Sequence, residues 1–327
     1  MKTLSKFFGI AVLAFVSFSC EDDDNITKAP EQTIAEIAVQ NPNLSILVQA
    51  LEKVDLVSTF NSPGDYTVFA PTNDKFQAFL SANGFANLDA VPNEILAEVL
   101  KNHVLTGSFT SSELETGYVK TLAKGNASSS NTLSMYIDLT SGVKLNGGAD
   151  NGGASVVLSS ANIKASNGVI HVIDNVIDLP TIVNHAVANP NFTNLVAALT
   201  RPDVTDQNFT GVLNGTAGSP FTVFAPTNEA FTSLLEELGL SSLTAVPKNV
   251  LEETLKYHVV TGANVLSSQL TNNQIVSTLQ GQSFTIGLAG GAKITDAQNR
   301  VSNIIATDVQ CTNGVIHVID KVILPTF

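Results

Sequence analysis

The 327-residue chain is long enough for two domains of ordinary size, and with 44% hydrophobic and 14% charged residues it has ample material for packed cores. Its 16 basic and 29 acidic residues leave a net charge of −13, which repels phosphate backbones and disfavours polybasic attachment to anionic lipid. Trp is absent and aromatic residues make up 6%, so neither a sugar-stacking platform nor a single-stranded nucleic-acid groove is expected.

Lys2 and Lys6 form a short basic region, and Phe7 to Phe18 an apolar stretch too short to span a bilayer. Ser19-Cys20 follow, and the composition then turns abruptly to Glu21-Asp22-Asp23-Asp24. This order resembles a bacterial lipoprotein signal, in which cleavage leaves the Cys as a lipid-modified first residue. The acidic run is similar to the surface-export signal of lipoproteins of the Bacteroidetes group. The resemblance implies a signal peptide over 1–19, an acidic tether over 20–29 and a lipid on Cys20. It also implies a surface-exposed protein at the cell outer membrane, held by acyl chains at about 0.8 kcal/mol per buried methylene. With Cys20 lipidated, Cys311 stands alone, so no internal disulfide is expected and stability must come from core burial.

The elements after the tether are legible in order. Tyr66 to Ala70 is a β-rich run closed by Pro71, which cannot donate to a ladder. Thr72 or Asn73 then offers an N-cap oxygen, and Phe76, Phe79 and Leu80 fall at helical spacing. Val91-Pro92 opens a second helix, in which Ile95, Val99 and Leu100 share a stripe with His103. Gly147 to Gly153 lacks the alternating oxygen ligands of an EF-hand loop and reads as a flexible hairpin tip. Asn167-Gly168 is the dipeptide that tolerates positive φ at both central positions of a hairpin turn. The run after it is apolar on both faces, the mark of a buried strand.

These elements occur twice. Asn41-Pro42-Asn43 returns as Asn189-Pro190-Asn191, Thr67 to Asn73 as Thr222 to Asn228, Lys101-Asn102-His103-Val104 as Lys256-Tyr257-His258-Val259, and Asn167 to Asp174 as Asn313 to Asp320. The offsets, 189 − 41 = 148, 222 − 67 = 155 and 313 − 167 = 146, place one insertion in Arg201 to Pro220 of the second copy and another around Gly142 to Ala154 of the first. A period of this size is a whole domain. The boundaries are 30–180 and 181–327, and the short join at Thr181 means the domains touch or hold a restricted angle.

The Phe-Ala-Pro-Thr-Asn segments, the central helix with its His, and the Asn-Gly-Val-Ile-His-Val-Ile-Asp segments resemble the three motifs of the fasciclin (FAS1) domain, in order and twice, from about Pro30 to Pro325. The resemblance implies an α+β fold of two tandem FAS1 domains, each a wedge-shaped β-sandwich flanked by several helices, and a part in extracellular adhesion. The family's central motif is often Tyr-His and in animal members has been linked to integrin binding. Here Tyr257-His258 keeps it and Asn102-His103 departs from it; no Arg-Gly-Asp occurs, and Arg201 and Arg300 are the only arginines. Integrin binding is therefore not carried over, and Asn102, His103, Tyr257 and His258 stand as the candidate interaction residues.

Histidine is the sharpest test for chemistry. His103 with His171, and His258 with His317, could form a metal site or an acid–base couple. Their recurrence in both copies favours core histidines bonded to backbone groups. His185 matches Ile37 and reads as incidental. No Gly-x-Ser-x-Gly elbow, P-loop or dinucleotide fingerprint occurs, and Cys311 corresponds to Ala165. No catalytic residue, metal or cofactor is expected. The sequence reads as a non-enzymatic adhesion or interaction module for cell–cell, matrix or envelope contacts, with an unidentified protein or glycan partner. The alternative is a glycan- or small-ligand-binding protein supporting nutrient uptake, which requires a concave pocket of about 300 Å³ or more.

Overall fold

The computed structural model describes residues 31–204, 208–215 and 217–327; Cys20, the signal segment and the tether lie outside the described residues. The first repeat runs α1 (Ile34–Gln40), α2 (Ser45–Lys53), α3 (Val57–Asn61), β1 (Tyr66–Pro71), α4 (Asn73–Ala82) and α5 (Asn93–Asn102). Its remaining strands are β2 (Val104–Thr106), β3 (Gly117–Gly125), β4 (Ser128–Asp138), β5 (Lys144–Leu145), β6 (Ala154–Ser155), β7 (Ile163–Ala165) and β8 (Gly168–Ile173). The second repeat follows with α6 (Ile182–Ala188), α7 (Thr193–Leu199), α8 (Phe209–Asn214), β9 (Phe221–Pro226), α9 (Asn228–Glu237) and α10 (Lys248–Tyr257). It ends with β10 (Val259–Thr261), β11 (Ile275–Ser277), β12 (Ser283–Gly287), β13 (Lys293–Thr295), β14 (Val301–Cys311) and β15 (Gly314–Ile319).

One parallel pair organises each sheet. β1 lies against β8 from Tyr66–Gly168 to Pro71–Ile173, and β9 lies against β15 in the same register. The sheet orders are β6-β5-β4-β3-β2-β1-β8-β7 and β10-β9-β15-β14-β13-β12-β11. The first sheet folds back on itself, so that Val156 bridges Ile173. Alternate residues of the central strands therefore enter two cores. Phe69, Leu105, Ile137 and Ile173 pack within the fold of the sheet, whereas Val68, Ala70 and Ile170 pack against the helices with Phe76 and Leu96. The second repeat divides likewise, with Phe224 and Phe284 on the sheet side and Val223 and Phe231 on the helix side. Each such side chain contributes about 1.5–3 kcal/mol on burial, which is why these strands are apolar on both faces.

Local geometry differs from the sequence expectation at several points. The hairpin turns are Ser166-Asn167 and Thr312-Asn313, because Ala165 pairs with Gly168 and Cys311 with Gly314; neither central pair has a positive φ, and only Gly168, which opens β8, does. The glycines instead permit close strand approach: a Cβ would meet the Tyr66 carbonyl oxygen at 2.0 Å or that of Phe221 at 2.2 Å. Asn167 is a clamp on the helices. Its Oδ1 accepts from the Ile34 amide at 2.9 Å, and its Nδ2 donates to the carbonyls of Phe60 (2.9 Å) and Ser62 (3.0 Å). Asn313 repeats this with the Ile182 amide (3.1 Å) and the Leu213 carbonyl (2.6 Å).

Asn73 is likewise no cap: its Oδ1 accepts from the Ile46 amide at 2.9 Å and ties α4 to the start of α2. Ile95 is 47% exposed, and Leu96 takes the inward position. The inserted residues are also redistributed. From His103 to Asn167 the first copy is nine residues longer, since the offset falls from 258 − 103 = 155 to 313 − 167 = 146. Ile137 and Ile286 hold the same place, opposite Leu145 and Ile294, at an offset of 286 − 137 = 149, so a net six of the nine fall before Ile137. The β3–β4 hairpin itself is eight longer, since Lys120 to Ser134 spans 134 − 120 = 14 against 283 − 277 = 6 from Ser277 to Ser283, and the segment leading into it is two shorter. Between Leu145 and Ala154 there is only one, since Ser302 opposite Ile294 gives 302 − 154 = 148.

Asn167→Ala removes two buried hydrogen bonds and one half-buried one and leaves their partners unpaired. It should lower the unfolding free energy by about 2–4 kcal/mol in urea titration, whereas the exposed Asn43→Ala should change it by less than about 0.5 kcal/mol.

Candidate functional site

The two residues that end α5 and α10 are buried in both domains. Nδ1 of His103 donates to the Val99 carbonyl at 2.7 Å, and its Nε2 accepts from the Ile177 amide at 2.9 Å. His258 makes the same pair with the Thr254 carbonyl (2.7 Å) and the Ile323 amide (3.1 Å). Each ring is thus a neutral imidazole, protonated on Nδ1, that fastens the segment after the last strand to the helix. Asn102 donates to the Asp178 carbonyl at 2.9 Å, and its buried Oδ1 has no hydrogen-bond partner among the described residues. Tyr257 fills its counterpart position: its hydroxyl donates to the Ser283 carbonyl at 2.8 Å and accepts from the Ala297 amide at 3.1 Å. All four candidate interaction residues are therefore buried in structural bonds, and none presents its side chain at the surface.

His171 and His317 stack on Phe69 and Phe224, with ring centroids 5.7 and 5.5 Å apart. Their Nε2 atoms bond the carbonyls of Phe109 (2.9 Å) and Val265 (2.8 Å). No hydrogen bond joins either to the helix-end histidine of its domain. Among the described residues no group of three or more His, Cys, Asp or Glu could hold a metal ion. Cys311 is buried, and burial pushes its thiol well above the ordinary range, away from the thiolate.

The residues that sequence reasoning missed lie between the domains. Tyr118 and Tyr136 stand on the outer face of the first sheet, and His185 of α6 meets Tyr118 edge-on at 5.4 Å. His185 is fully buried, and neither ring nitrogen has a hydrogen-bond partner in normal geometry. It is a contact residue, and its lack of a counterpart marks a feature that only one copy needs. The glycine-rich loop is docked rather than free: Asn151 and Asn184 exchange bonds at 2.8 and 3.0 Å, and Gly147 lies against Ala188. Lys120 donates to the Asp308 carbonyl at 2.7 Å, the Gln310 amide to Ser134 Oγ at 3.0 Å, and the Ala127 amide to the Thr312 carbonyl at 2.9 Å. The longer β3–β4 hairpin thus reaches onto the last hairpin of the second domain.

A cleft of about 680 Å³ opens in the first domain where β2 and β3 diverge after their single pairing at Leu105–Thr121. Leu105, Leu114, Val119 and Ile137 floor it, and Phe109 and Glu115 stand in its lining. The Lys120 ammonium is committed to Asp308, so its methylene stem is what this residue adds to the lining.

A family model described as the fasciclin domain matches residues 42–180 and again 190–325. The chain belongs to the fasciclin family. Protein sll1483 of Synechocystis is 39% identical over 145 residues, 44% of this chain and 72% of that protein. Human periostin is 28% identical over 264 residues, and the pig transforming growth factor-beta-induced protein ig-h3 29% over 266. Each match takes in 80% of this chain but only 28% and 35% of those longer proteins. The FAS1 domain pair from the insect cell adhesion molecule Fasciclin I superposes with a TM-score of 0.51 at 19% identity, over 86% of this chain and 97% of that pair. The fold is therefore that of two FAS1 domains in tandem.

In this fasciclin pair burial pushes His103 and His258 down to about 4, against the opposing pull of their carbonyl partners. His185 falls to about 3 through burial first and the Lys120 charge second, opposed by the Ser134 backbone. These rings are neutral when folded and titrate near 6.5 when unfolded, so the stability held above that pH is lost as pH falls towards 4. The loss reaches about 1.4 kcal/mol per pH unit for each histidine. Urea midpoints should therefore drop from about pH 6.5 to about pH 5. His185→Ile, which installs the residue type of Ile37, should make the drop shallower by one proton; an unchanged slope would show that His185 is protonated in the folded chain.

Proposed function

We propose that the chain is a surface-exposed outer-membrane lipoprotein, anchored by a lipid on Cys20, whose fasciclin pair is a non-enzymatic adhesion module for cell–cell, matrix or envelope contacts. Membership of the family supports this reading, as does the likeness to a domain pair from an insect cell adhesion molecule. The observation that carries it is the internal commitment of the motif side chains. The histidines of both domains are buried, the motif histidines in hydrogen bonds and ring stacks, so among the described residues no histidine is presented at the surface. Contact with a partner then falls to the outer surfaces that this docked pair holds at a fixed spacing. Among the described residues no helix is long and apolar enough to cross a membrane, which is consistent with acyl chains as the attachment.

Cys20→Ser should release the protein from the membrane fraction and reduce aggregation and surface attachment of the cells to the level of a deletion strain. Attachment that is unchanged by the deletion would count against the adhesion reading. A second reading, glycan or small-ligand binding, is favoured by the cleft between β2 and β3, whose volume suits a drug-sized molecule. Thr106→Trp fills that cleft from an exposed position. If ligand binding is the function, a hit on a glycan or small-molecule array should weaken at least about tenfold in this variant, with the fold intact.

A further inference from the structure

We propose that copies of this chain join head to tail: the outer sheet face of the second domain of one copy docks on α1 and β7 of the next, as the two domains of a single chain already dock. The internal repeat supplies the template. Within one chain, the row Tyr118–Tyr136 on the outer face of the first sheet, extended by Asn146, receives α6 through His185 and Ala188. In the second domain the same row is Ile275–Thr285–Thr295–Val301, paired across β11 to β14. The register proves the equivalence, since Lys120–Ser134 in one sheet falls where Ser277–Ser283 falls in the other.

Among the described residues no element covers the ends of this second row. Ile275 is 73% exposed, the most of any large apolar side chain among the described residues, and Val301 is 46% exposed. The complementary surface is partly open among the described residues: Val39 and Gln40 of α1 are exposed, and Ile37 is half-buried at the edge of its own core. α1 matches α6 residue for residue, both beginning at a threonine capping box, Thr33 and Thr181. Ile37 stands where His185 stands, and Gln40 where Ala188 stands. Beside it, Asn162, Lys164 and Ser166 of the edge strand and turn are exposed, at the places that Asp308, Gln310 and Thr312 occupy in the internal contact.

The chemistry of the two faces matches. The internal aromatic contact of Tyr118 with His185 becomes an aliphatic one of Ile275 with Ile37. A contact between different patches of identical copies leaves one face of each kind open on every dimer, so assembly continues past the dimer into a ring or an open chain. Two features of the internal contact are missing: the long hairpin tip, and the small pair Gly147 and Ala188, since Gln40 replaces the latter. The contact between copies is therefore weaker than the one within a chain, and it forms at high local concentration, as on a membrane. This inference rests on the repeat alone and stands even if the chain adheres to nothing else.

The test uses the Cys20→Ser chain in sedimentation velocity up to about 0.5 mM. The sedimentation coefficient should rise with concentration beyond that of a dimer. Ile275→Asp spoils the sheet face, and Gln40→Trp blocks the helix face; both positions are exposed, so the fold is spared. Each variant alone should weaken association at least about tenfold. Mixed, they should form a 1:1 dimer and nothing larger, because each retains the face the other has lost. A wild-type chain that stays monomeric throughout would overturn the proposal. So would an Ile275→Asp chain that associates as the wild type does, or a mixture that stays monomeric while the wild type assembles.

Discussion

A parallel strand pair buried on both faces, β1 with β8 and β9 with β15, must find apolar partners on two sides at once. Helices cover one side and the folded-back remainder of the sheet covers the other, which is why each domain has two separate apolar clusters. The constraint explains the composition of the motifs. Branched and aromatic residues fill both faces, glycine opens the strand where a Cβ would strike the neighbouring carbonyl, and proline ends the ladder.

Burying the ends of such strands creates a second demand. Backbone amides and carbonyls just beyond the ladder are out of reach of water, and each costs about 1–3 kcal/mol if left unpaired. Polar side chains meet it: Asn167 and Asn313 clamp the first helix of each domain, while His103 and His258 hold the exit segment. The helix-end histidines need both a donor and an acceptor on one rigid ring, which neutral imidazole supplies. Their low basicity follows from this use and is no sign of catalysis. The same logic makes Asn102 an oddity, because its Oδ1 lacks the partner that the longer Tyr257 finds for its hydroxyl.

The asymmetry between the repeats belongs to their docking. Residues that one copy has and the other lacks, namely the hairpin tip beyond β3, the Gly147 loop, Tyr118 and His185, gather in one place between the domains. Aromatic edges, backbone carbonyls and amide side chains share that surface, so the two domains hold a fixed relation and Gln32 to Phe327 form one compact unit. Divergence after duplication has here been spent on the contact of the copies with each other.

The sequence by itself determined the duplication, the strand–proline–helix order and the apolar character of Val169 to Ile173, because periodicity and backbone chemistry are local properties. It also made internal bonding the better reading of the recurring histidines, since a device repeated in both copies belongs to the fold. Tertiary structure alone decided what the asparagines and glycines do. The dipeptide Asn167-Gly168 fits a turn rule in sequence, but the clamp on Ile34, 133 residues away, and the approach of Tyr66 exist only once the chain is folded. It likewise decided that His185 and the Gly147 loop meet across a domain boundary. Burial at such a boundary depends on which surface arrives from far along the chain, and no local pattern of residues carries that information.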